Sequence, residues 1–113
     1  MSEQEQQSDA NKAITFIYNT APIYANAQAN HDRLAEYRKS KKSLLMLASG
    51  ESSAVMREAE AYAHPEYLDL LDEIKLAQVE AITLKLQIDA AKLRVEVYRT
   101  ESANSRAIDR AAA

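Results

Sequence analysis

The sequence has no cysteine, which removes disulfides, thiolate metal sites and cysteine nucleophiles. It has one glycine, two prolines and no tryptophan. So little punctuation points to long helices. It contains no P-loop, no paired-glycine dinucleotide turn and no serine-centred nucleophile elbow. No apolar run approaches the ~20 residues that cross a bilayer. A formal charge of −3 gives no global attraction to nucleic acid or acidic membrane. The opening MSEQEQQSDA lacks the basic and apolar stretches of a secretory signal. These absences predict one small domain in the cytoplasm, with no cofactor.

What is present is helical periodicity. From Pro65 to about Ala107 the chain is rich in Leu, Ala, Glu, Lys and Arg, which lose little rotamer freedom on a helix. Tyr67 or Leu70, Ile74, Ala77, Ala81, Leu84, Ile88, Ala91, Val95 and Tyr98 recur at steps of three and four, a heptad seam. A second row, Leu71, Val79, Ile82, Leu86, Leu93 and Val97, flanks it and widens the apolar face beyond what one opposing helix covers. Upstream, Ala13, Phe16, Thr20, Ile23, Ala27, Asn30, Leu34, Tyr37, Lys41, Leu44 and Ala48 step likewise, through Pro22. Proline kinks a helix without necessarily ending it.

These patterns predict an all-α fold. Residues 1–8 form a disordered tail, and residues 9–113 a single domain. A helix over 9–48, kinked near Pro22 or else divided there into two helices with Thr20 capping the second, is followed by a short helix over 53–63 and a long one over 66–107. The two arms form an antiparallel hairpin with the short helix at its tip, assembling with its own copies into a bundle. Gly50 supplies a left-handed residue at the first helix's end, Ser52 or Ser53 caps the short helix, and His64-Pro65 ends it. Pairing the arms about residue 58 places Lys41 beside Asp72, Glu73 and Lys75. Asn30 and Lys41 interrupt the first seam and fix its register. The expected oligomer interface is Leu71, Ile82, Leu84, Leu86, Ile88, Leu93, Val95 and Tyr98.

Few residues carry chemistry. His31 beside Asp32, and His64 four residues after Glu60, are too few for a metal centre and read as turn or surface residues. The carboxylates from Glu58 to Glu73 read as a solvated acidic tip, without a cleft for acid–base catalysis. The basic run Arg38-Lys39-Ser40-Lys41-Lys42, with Arg33 one turn earlier, reads either as a solvated face or as a phosphate contact. The nucleic-acid candidates are therefore Arg33, Arg38, Lys39, Lys41 and Lys42, and no enzyme is expected.

Three segments carry a resemblance: Leu45 to Ser49 (LMLAS), Arg57 to Ala63 with Tyr67 (REAEAYA, then Tyr), and Val95 to Thr100 (VEVYRT). Over residues 44–110 the chain resembles a family of small helical proteins from the early, recombination-proximal regions of tailed bacteriophages. Tyr98 stands where that pattern usually has tryptophan. The resemblance implies a non-catalytic accessory role in phage DNA recombination or replication. The implied partners are single- or double-stranded DNA, or a recombination or single-strand-binding protein. The alternative is an adaptor coiled coil that binds only protein.

Overall fold

A computed structural model describes residues 2–113. Among them the secondary structure is entirely helical: α1 spans Glu3–Ala48, α2 Ala54–Ala63 and α3 Pro65–Ala112. The helices contribute to two compact units, one made of the stretch ending at Tyr24 with Thr83–Ala113, the other of Ala25–Ile82.

The disordered tail expected over residues 1–8 is corrected, since α1 begins at Glu3. The Ser2 hydroxyl accepts the Glu5 N–H at 3.2 Å, and Glu3 and Glu5 stand in the first turn, where carboxylates meet the positive end of the helix dipole. Ser2-Glu3-Gln4-Glu5 has the spacing of a capping box, so the start signal was in the sequence. α1 continues through Pro22 unbroken. The proline lacks the N–H that would reach the Tyr18 carbonyl, but Tyr18 is 78% exposed, so water can serve that oxygen.

The first unit buries Ala10, Ala13 and Thr20 of α1 and Ile88, Ala91 and Val95 of α3. Ala13, Ala91 and Val95 form one cluster, with Ile17 against it, and the Ser105 hydroxyl donates to Glu3 at 3.4 Å. Residue numbers fall along α3 as they rise along α1, so the two segments are antiparallel here. The second unit buries Ala27, Ala61, Tyr67, Leu70, Ala77 and Ala81. Alanines fill most of these positions, and among the described residues no large side chain is fully buried.

The seam read on α3 is the buried one: Tyr67, Leu70, Ala77, Ala81, Ile88, Ala91 and Val95 are buried, with Ile74, Leu84 and Tyr98 half-buried between them. On α1 only half of the expected seam holds. Ala13, Thr20, Ala27, Leu34 and Lys41 face inward, whereas Phe16, Ile23, Asn30, Tyr37 and Leu44 are exposed. Their places are taken by Ala10, Ile17, Tyr24, His31 and Leu45. The sequence reading ran one residue off at these positions, where the neighbouring residue is about as apolar or as large.

The tip differs from expectation at Gly50. No glycine has positive φ, and a Cβ at Gly50 would meet nothing within 4 Å. The connector is held instead by Arg57, which donates to the carbonyls of Glu51 (2.9 Å) and Ser52 (3.4 Å). Ser53 caps α2 through the Met56 N–H at 3.1 Å. His64 ends α2 in an extended conformation (φ −66°, ψ 134°), and its Nδ1 accepts the Glu66 N–H at 3.1 Å. The long helix starts at Pro65 and runs to Ala112, beyond the expected 107, with Arg110 in its last turn.

Candidate functional site

α3 carries a second apolar row on the side away from its buried seam. In the second unit Leu68, Leu71, Leu76, Val79 and Ile82 are exposed, from 36% for Leu71 to 69% for Leu76. At about 100° per residue, Leu68, Val79 and Ile82 point roughly opposite to Leu70, Ala77 and Ala81. In the first unit Leu86, Leu93 and Val97 stand exposed against buried Ile88, Ala91 and Val95. The second row therefore does not flank the seam as the sequence reading had it.

This divides the expected interface residues. Leu71, Ile82, Leu86 and Leu93 remain available on the outer face. Ile88 and Val95 are buried within the chain, and Leu84 and Tyr98 lie on the same inner row. They are corrected from intermolecular to intramolecular positions, because α1 already occupies the three-four seam they belong to. Leu68, Leu76 and Val79 were missing from that interface, although their steps of eight and three along the helix are legible.

The basic run is distributed differently from expectation. Lys41 bonds Glu66 at 2.7 Å, more than a turn nearer the start of α3 than Asp72 and Glu73. Lys42 bonds Glu58 of α2 at 3.2 Å, with its ammonium 4.6 Å from the centre of the Tyr62 ring. Tyr62 in turn meets Tyr67 edge-on at 5.4 Å. The Glu66 bond holds the Lys41 ammonium above its ordinary pKa, and Lys41 holds Glu66 below the usual carboxylate range. Tyr62 first, then Glu58, raise Lys42 in the same way. Lys39 makes only an exposed pair with Glu36 one turn away, at 3.4 Å. Arg33 and Arg38 are exposed and form no ion pair among the described residues.

The isolated histidines have local partners. His31 Nδ1 lies 3.1 Å from Asp32, whose carboxylate also accepts from Gln28 at 3.1 Å. Glu60, the residue spaced to chelate with His64, accepts the Ser49 hydroxyl. Among the described residues no group of three or more His, Cys, Asp or Glu side chains is placed to hold a metal ion, and no helix is long and apolar enough to cross a membrane.

No family model, curated protein or solved structure matches the chain.

Proposed function

We propose that the chain is a non-catalytic interaction protein that works by packing the outer face of α3 against partner helices, as an adaptor or scaffold. One observation carries this reading: α3 is apolar on two opposite sides, and α1 covers only one. Exposed rows of large aliphatic side chains are uncommon on soluble monomers and mark association surfaces. Light scattering combined with binding of a hydrophobic-surface dye tests it. The purified chain should be assembled, or monomeric and strongly dye-binding. A monomer that binds no dye overturns the reading.

A second reading, an accessory protein of phage DNA recombination or replication that touches nucleic acid, rests on the motif resemblance and on exposed Arg33, Arg38 and Lys39. It has fewer charges to offer than the basic run suggests, because the Lys41 and Lys42 ammonium groups are committed to Glu66 and Glu58. Salt-sensitive retention of single- or double-stranded DNA, lost in an Arg38→Glu/Lys39→Glu variant, would support it. No retention at low ionic strength removes it.

A further inference from the structure

The outer row of α3 in the second unit is interrupted at its centre by two charges. Pro65, Asp72 and Val79 repeat at seven, as do Leu68, Lys75 and Ile82, and together they step by three and four along one face. Asp72 and Lys75 are exposed and form no ion pair within the chain among the described residues. Against a wholly apolar partner each would be buried without a counter-charge.

We propose that the occupant of this face is the same face of a second copy, antiparallel, about a twofold axis between Glu73 and Ile74. This rests on the association reading above and names its partner. In that register Asp72 faces the partner's Lys75, and Lys75 faces the partner's Asp72. Leu68 meets the partner's Val79, Val79 meets the partner's Leu68, and Ile82 meets the partner's Pro65. Residue numbers in each layer alternate between the two heptad positions, as antiparallel pairing requires. A slip of one heptad sets Lys75 against Val79 or Pro65, and Asp72 against Ile82 or Leu68, burying both charges on apolar groups. Parallel pairing sets aspartate on aspartate and lysine on lysine. Only the twofold antiparallel register satisfies both charges, so the two polar positions fix partner, direction and alignment together.

The exposed area fits a second copy. The chain presents 8309 Å² of accessible surface, well above the ~800 Å² a standard interface removes from each partner.

The test is a charge swap read by light scattering and sedimentation on the full chain. The wild type should be dimeric. Asp72→Lys and Lys75→Asp should each weaken the dimer at least about tenfold by setting like charges face to face, and the double swap should restore it. Because the chain has no cysteine, mixing a Leu68→Cys chain with a Val79→Cys chain should give a disulfide-linked pair under oxidation, and neither alone should. Unchanged circular dichroism in each variant separates these effects from misfolding. A dimer indifferent to both single swaps, or a dye-binding monomer, overturns the register and partner named here while the association reading stands. A monomer that binds no dye overturns both.

Discussion

The two faces of α3 differ in where they place small residues: alanines lie on the inner one, while the apolar row on the outer one is wholly of large side chains. The inner face mixes Ala77, Ala81 and Ala91 with Tyr67, Leu70, Ile88 and Val95, and the outer row carries leucine, isoleucine and valine without alanine. A protein that folded only to bury its largest side chains would show the reverse. Small residues let two backbones approach closely and gain dispersion contacts. They bury little apolar area each, and the chain's own fold leaves Leu76, Leu86 and Leu93 more than half exposed.

The largest break in this comparison comes from a charge on each face. Ile88→Asp puts a carboxylate at a position 7% exposed and should cost more than about 4 kcal/mol, melting the helices together. Leu86→Asp, two residues away at a position 61% exposed, should leave helicity intact and act only on association. Thermal melts by circular dichroism, paired with light scattering, distinguish the two.

Size is the next lever. Ala81→Leu should overpack the inner face and cost about 1–3 kcal/mol. Ala90→Leu, on an exposed position, should shift stability by less than about 0.5 kcal/mol. A rise in melting temperature for Ala81→Leu would show that the inner face is not closely packed.

How far the sequence revealed these faces depended on competition between neighbouring rows. The α3 seam was legible from Tyr67 to Tyr98 because alanine and aliphatic residues alternate there without competition. On α1, Phe16, Ile23 and Leu44 compete with their neighbours Ile17, Tyr24 and Leu45, which are apolar too, so periodicity alone does not choose between the two rows. The outer row was seen as a set, but its direction depended on knowing which row α1 takes. The paired lysines were out of reach: the register that brings Lys41 to Glu66, not to Asp72, is set by the length of the connector and by α2. The capping box at Ser2 was readable and was outweighed by the polarity of the residues around it.

Titration separates the apolar faces from the ionic tip. Glu66 is held below the usual carboxylate range, so its contribution is present above that range and is lost as pH falls through its lowered value. Lys41 and Lys42 are held above the ordinary lysine value of 10.5, so theirs is complete below it and is lost as pH rises through their raised values. Melting temperature should be flat near neutrality and fall at both ends. In Lys41→Met the acid-side fall should shrink. An unchanged acid limb would mean that Glu66 gains nothing from its partner.

The smallest effect is expected in the connector. Gly50→Ala should stabilise by about 0.4–1 kcal/mol, because the position has neither positive φ nor a neighbour within 4 Å and the unfolded chain loses freedom. Destabilisation in a denaturant melt would show that the connector needs its glycine.

The tip helix inverts the arrangement of the arms. α2 turns Glu58 to Lys42, Glu60 to Ser49 and Arg57 to the connector carbonyls, while Val55, Met56 and Tyr62 lie exposed. Its grip is therefore largely electrostatic and that of the α1–α3 seam largely apolar, so dissolved ions act on them in opposite directions. Sodium chloride screens the Lys42–Glu58 attraction and loosens α2, whereas sulfate, excluded from apolar surface, tightens the packing of the long helices. The choice of salt alone can thus loosen the hold on α2 while tightening the packing of α1 on α3.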